Sequence, residues 1–185
     1  MLNQNKLSAM KNIREQYNDL RNNPIANIGL SIGLIDEDDI FKWRCSIFAP
    51  QDTPYSGGLF FLLVKFTEDF PQIGPEICFE TPIYHVNVNS KKNEGENGPA
   101  LGKVCISTLN QWNPNTKIRQ VLDSIYTLFY LGNPNNPFGI DKANEFKNHK
   151  DLYEEKIRYF TQKYANFSQV KRDQNNKAWD FTYNK

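Results

Sequence analysis

A chain of 185 residues, 39% of them apolar and 14% aromatic, fits one domain whose core needs no disulfide or metal staple. Its 22 basic and 21 acidic residues leave a net charge of +1, which excludes bulk attraction to nucleic acid or to an anionic membrane, so a partner must be recognised by a local surface. No apolar run approaches the roughly 20 residues that span a bilayer, the first residues lack the apolar core of a secretory signal, and Cys45, Cys78 and Cys105 are odd in number and widely spaced, so the expectation is a soluble protein of the cytoplasm, the nucleus or both, with no disulfide framework and no metal.

Met10, Ile13, Tyr17 and Leu20 recur at three- and four-residue steps, which predicts a helix ending near Asn22-Asn23-Pro24. Lys6, Lys11 and Arg14 lie off its apolar face, either as solvated positions or as contacts for a partner. Ile28, Leu30, Ile32 and Leu34 alternate with small residues, and Phe41, Trp43, Cys45 and Ile47 alternate with polar ones, as two half-buried strands require. Asp36-Glu37-Asp38-Asp39 is the turn between them. A third strand is expected over Leu59 to Phe66 and a short fourth over Glu76 to Phe79. Four strands in succession with no helix between them favour an antiparallel meander.

Ile118, Val121, Leu122, Ile125, Leu128 and Phe129 mark a central helix with a broad apolar face, with Thr116 as its expected cap and Gly132 and Pro134 as its end. A shorter helix around Lys142 to Asn148 precedes a last one that puts Tyr153, Ile157, Phe160, Tyr164 and Phe167 on one stripe. From Ser168 the chain is polar and basic before Trp179, Phe181 and Tyr183 alternate. This tail is either packed on the domain or a docking segment.

Cysteine among apolar strand residues, as at Cys45 and Cys78, is ordinarily a small hydrophobe. Cys105 differs. It lies in the irregular stretch Gly102-Lys103-Val104-Cys105-Ile106-Ser107, after His85-Val86-Asn87 and before Trp112-Asn113-Pro114. A thiol that an acyl donor can reach, beside an asparagine amide able to donate to an oxyanion, is a candidate nucleophilic site.

Read in order, Pro54-Tyr55-Ser56-Gly57-Gly58-Leu59-Phe60, His85-Val86-Asn87, Cys105 and Asn133-Pro134-Asn135-Asn136-Pro137 resemble the ubiquitin-conjugating enzymes, over about Lys6 to Ala165. The resemblance implies an α/β (α+β) fold: an N-terminal helix, a four-stranded antiparallel meander, a central helix and C-terminal helices. The conjugating domain would occupy residues 1–167, with an inserted loop near 90–101, and residues 168–185 would form a C-terminal extension. It implies that Cys105 takes ubiquitin or a ubiquitin-like modifier from an activating enzyme as a thioester and passes it to a lysine of a protein substrate or to a ligase thiol. ATP is used by the activating enzyme upstream, no cofactor is bound, and a monomer is expected.

By the same resemblance, Asn87 either donates to the oxyanion or holds the nearby loop, and His85 is structural, fixing the turn that carries Asn87. Lys6, Lys11 and Arg14 would meet the activating enzyme. Pro71 and Gln72, with Pro114 and Asn115, would meet a ligase, and Asn136 and Ser107 would orient an acceptor lysine.

Several positions depart from the family pattern. Val86 replaces a proline, so the turn loses a rigid φ and gains a free N–H. Asn87 and Cys105 are 18 positions apart, longer than in the family, and the loop between them is positioned to gate access or read a partner. Asn135-Asn136 and Ser107 stand where acidic residues are common, which favours slower lysine aminolysis, a different acceptor or transfer to a thiol. Gln72 replaces an aromatic anchor for ligases. Two other classes compete: a catalytically silent variant that only binds ubiquitin, and an unrelated cysteine protease or acyltransferase using His85 or His149 as its base.

Overall fold

The computed structural model describes residues 4–26, 28–91 and 100–166 of the chain. Period-two alternation builds its sheet. In β2 (Lys42–Phe48) the side chains of Trp43, Cys45 and Ile47 are buried, while Lys42, Arg44 and Phe48 are exposed. β3 (Leu59–Lys65) sets Val64, Leu62 and Phe60 opposite those three buried residues, so one face of the sheet is continuously apolar. β1 (Leu30–Leu34) and β4 (Glu76–Phe79) complete an antiparallel meander in the order β1-β2-β3-β4. Phe41, expected at the start of the second strand, lies one residue before β2. The chain order that predicts a meander is the spatial order.

Helices follow the 3.6-residue period with small shifts. α1 (Gln4–Asn22) buries Ala9, Ile13 and Leu20, with Met10 and Tyr17 half-buried beside them, so the face turns slightly toward Ala9. Beyond the sheet come the single turn α2 (Ser107–Asn110) and α3 (Ile118–Leu128). Ile118, Val121, Leu122 and Ile125 of α3 are all buried, each stabilising the fold by roughly 1.5–3 kcal/mol. α4 (Ile140–Asn148) and α5 (Lys150–Phe160) close the domain, and α5 runs into a π-helical turn over Thr161–Ala165. That wider turn brings Thr161 and Ala165 inward and leaves Tyr164 half-buried. Phe167, the last member of the expected stripe, lies outside the described residues. No described helix is long and apolar enough to cross a membrane.

The expected cap of α3 is corrected by the structure. Thr116 accepts a long bond from the N–H of Asn113 at 3.4 Å. The free N–H groups at the start of α3 are met instead by two glutamines: Gln120 Oε1 accepts from Lys117 N at 2.8 Å, and Gln16 Oε1 of α1 accepts from Ile118 N at 2.8 Å. A residue 102 positions away supplies part of the cap, which a local window cannot reveal.

Candidate active site

Gly102 sets the course of the chain into the site. Its φ is +78°, and a Cβ there would stand 2.1 Å from the carbonyl oxygen of Phe79, so only glycine lets the backbone pass so close to β4. The next residues run like a short strand between β4 and the 87–89 segment, Lys103 bridging Cys78 and Val104 bridging Val88. The N–H of Cys105 donates to Asn87 O at 2.9 Å. Two residues later α2 begins. Cys105 is therefore held by its backbone and half-buried, in the irregular stretch the sequence predicts. The other two thiols lie in the sheet, where burial pushes Cys45 up to about 12 and Cys78 up to about 11; Cys78 is half-buried rather than fully enclosed.

Among the described residues, two neutral amides face the Cys105 sulfur. Asn136 Nδ2 donates to Sγ at 3.0 Å, and Asn110 Nδ2 lies at 3.4 Å. Asn110 is exposed at the end of α2, and nothing in its local sequence marks it. It meets the sulfur because α2 turns the chain back over Cys105.

Asn87 is buried, and its carboxamide is fully engaged. Oδ1 accepts from Asn133 N at 2.7 Å, while Nδ2 donates to Asn133 O at 2.8 Å and to Asn136 O at 2.9 Å. Of the two roles open in the sequence, these bonds are those of a residue holding the 133–136 loop. Asn133, part of the Asn-Pro-Asn-Asn-Pro motif, is the partner that makes the motif structural at this end.

The imidazole of His85 is committed to the backbone. Its Nδ1 accepts from Asn87 N at 2.9 Å, which makes Nε2 the donor to Leu128 O at 3.0 Å. Burial pushes its pKa down to about 4, so the ring stays neutral and has no free nitrogen for a proton from Cys105. His149 is exposed at the α4–α5 junction. The free N–H at Val86 is not left open, because it donates to the Tyr153 hydroxyl of α5 at 2.8 Å.

The chain matches the family described as ubiquitin-conjugating enzyme over residues 12–161. That span contains the whole sheet, Cys105, Asn87 and the 133–136 loop. The chain belongs to the ubiquitin-conjugating enzyme family.

Among the remaining positions singled out in this family member, Ser107 is exposed as the first residue of α2. Lys6 pairs with Glu68 at 2.8 Å and lies 5.9 Å from the centre of the Phe41 ring, whereas Lys11 and Arg14 are exposed on α1. The loop of Pro71 and Gln72 is tied to the segment that leads into Pro114 and Asn115 by Trp112, whose Nε1 donates to Pro71 O at 2.8 Å. A ladder of rings, Tyr17, Trp43, Phe66, Phe70 and Trp112, with neighbouring centres 4.8–5.8 Å apart, ties these loops to the core. Gly74 lies flat under Trp112, and a Cβ there would meet the indole at 2.6 Å. Gln72 is exposed, and beside it Ile73, 54% exposed, is an apolar side chain at the tip that the sequence reading passed over.

Of the inserted loop, residues 92–99 lie outside the described residues, as does the extension 168–185. The two ends of the insertion converge on Asn89, whose Nδ2 donates to Lys91 O at 3.1 Å and to Ala100 O at 3.0 Å.

Proposed function

We propose that this family member is an active conjugating enzyme that carries ubiquitin or a ubiquitin-like modifier as a thioester on Cys105. The Cys105 thiolate attacks the thioester carbonyl that joins the modifier to a cysteine of the activating enzyme. A new C–S bond forms, and the donor cysteine leaves as its thiolate. In the second step an acceptor attacks the same carbonyl and Cys105 departs. The single observation that carries this reading is the Asn136 amide donating to Sγ at 3.0 Å, since a donor aimed at the sulfur stabilises the charge that builds there as Cys105 leaves.

The same amide chemistry favours one acceptor. Asn136 and Asn110 donate to the sulfur, but a carboxamide takes no proton from a lysine amine as it attacks. A ligase thiol, which attacks as a thiolate, needs no such help. Transfer to a ligase cysteine is therefore the favoured step, with a lysine of the protein substrate as the final acceptor. The activating enzyme would dock on the Lys11 and Arg14 side of α1, and the ligase on the loops joined by Trp112. The enzyme would work as a monomer in the cytoplasm, the nucleus or both, with ATP consumed upstream and no cofactor of its own. The silent-variant reading is disfavoured by a retained thiol that solvent can reach.

The test is incubation with activating enzymes and ATP, each modifier in turn, followed by a non-reducing gel. A thiol-sensitive adduct is expected for the native protein, a thiol-resistant ester at most for Cys105→Ser, and none for Cys105→Ala. Equal labelling of Cys105→Ala and the native protein rejects the assignment.

A further inference from the structure

We propose that Lys142 and Tyr153, on two different helices, are positioning residues of the acyl-transfer site, holding the turn around Asn87 in the one arrangement that anchors the loop beside Cys105. The inference rests on the proposed thioester chemistry of Cys105. It concerns side chains that never touch the sulfur.

Backbone groups of the buried turn 85–89 must find partners within the fold. The carbonyl of Val86 accepts from Phe138 N at 2.8 Å, that of Asn87 from Cys105 N at 2.9 Å, and that of Asn89 from Gly102 N at 2.8 Å. The N–H of Asn87 goes to its neighbour His85, that of Val88 to His85 O at 3.2 Å, and that of Asn89 to Lys103 O at 2.9 Å. Side chains of α4 and α5 meet the Val88 carbonyl and the Val86 N–H that these leave over, and add a second donor to the His85 carbonyl. Lys142 Nζ donates to His85 O at 3.0 Å and to Val88 O at 2.9 Å, and Tyr153 accepts from Val86 N at 2.8 Å.

Lys142 is an unusual choice for this task. It is 7% exposed, and burial pushes its pKa down to about 8, so keeping the ammonium charged at neutral pH costs stability. Among the described residues no carboxylate pairs with it directly. Glu145, an acid of the same helix whose charge acts on it, is taken by the Tyr84 hydroxyl and by Lys156, and Lys142 faces instead the Tyr84 ring, its Nζ 5.7 Å from the centre. The cation spans the two carbonyls that flank Asn87. From there the connection is continuous: the turn orients Asn87, Asn87 holds the backbone of Asn133 and Asn136, and Asn136 donates to Sγ.

Tyr153 answers to Val86 in a way that a double-mutant cycle can isolate. Its hydroxyl accepts an N–H that proline would not possess. If this bond positions the turn, the hydroxyl matters with Val86 and is dispensable with proline.

The experiment compares Lys142→Met, Lys142→Arg, Tyr153→Phe, Val86→Pro and the double variant Val86→Pro/Tyr153→Phe with the native chain. Three quantities are read: the melting temperature, the rate at which iodoacetamide alkylates Cys105, and single-turnover discharge of a preformed Cys105 thioester. Lys142→Met is expected to slow discharge about tenfold, within the roughly 100-fold that an ångström of misplacement can cost, and to slow alkylation because charge on the sulfur loses its amide partner. Lys142→Arg, which keeps donors for both carbonyls, is expected to recover most of both rates. Tyr153→Phe is expected to slow both with Val86 and neither with Val86→Pro. A folded Lys142→Met protein that melts lower yet alkylates and discharges at native rates overturns the proposal, as does an equal effect of Tyr153→Phe in both backgrounds. If Lys142→Met does not fold, the cycle at positions 86 and 153 decides alone. Should the native protein accept no modifier, the reading of its function fails, while the alkylation rates still decide the positioning roles.

Discussion

Asn136 reaches Cys105 with its side chain and Asn87 with its backbone: Nδ2 donates to the sulfur at 3.0 Å while the carbonyl oxygen accepts from Asn87 Nδ2 at 2.9 Å. Whatever moves Asn87 is thereby passed to the donor beside the nucleophile, and four consequences can be measured.

Replacing Asn136 with aspartate exchanges a donor for a base. Asn136→Asp is expected to speed discharge of the thioester to free lysine by about tenfold, below the roughly 100-fold or more of a well-placed general base. Discharge to a small thiol should slow, since the sulfur loses its donor. Single-turnover discharge to each nucleophile, measured side by side, checks the exchange. An unchanged ratio of the two rates counts against the acceptor preference.

Asn87→Ala removes three part-buried bonds at once and frees the backbone of the 133–136 loop. A loss of stability of about 2–3 kcal/mol is expected, because each of the three hydrogen bonds contributes about 0.5–1.5 kcal/mol, together with slower discharge. Denaturant unfolding alongside single-turnover kinetics separates this from a pure oxyanion donor, whose removal would slow discharge and leave stability intact.

His85 should give the fold an acid-sensitive component. Its pKa is near 4 when folded against 6.5 for the unperturbed residue, so between these values the unfolded state binds the extra proton. Stability from this group is present above about pH 6.5 and is lost as pH falls toward 4, at up to about 1.4 kcal/mol per pH unit. Unfolding across this range should show the slope, and His85→Gln should flatten it. A native profile no steeper than that of the variant contradicts the assignment.

The insertion can be shortened between its anchors. Because Asn89 already ties Lys91 to Ala100, replacing residues 92–99 with a short glycine turn should leave the melting temperature within a few degrees. Thioester loading should persist, and transfer with a cognate ligase is the property expected to change. A large drop in melting temperature, or loss of loading in a folded variant, would make the loop part of the frame of the site.

Local patterns sufficed for the sheet and the longer helices, and for setting Cys105 apart as the thiol outside the sheet. Alternation at Trp43, Cys45 and Ile47, the helical spacing from Ile118 to Phe129, and Cys105 beyond Gly102 are all features of short windows, where periodicity reports burial directly. The order of strands without intervening helices was enough for the meander. The resemblance adds Asn87, His85 and Asn136 as the residues to watch, though not what each one touches.

Only the tertiary structure decided the partnerships. The cap of α3 comes from Gln16, the N–H that Val86 exposes is met by Tyr153, and the carbonyls of His85 and Val88 are spanned by Lys142. Each of these satisfies a buried backbone group from a distant part of the chain. The requirement that such a group be paired is universal, but the partner depends on which helix packs there. That information lies in the assembled fold, since no periodicity of α4 or α5 distinguishes a lysine that spans two carbonyls from one that faces water.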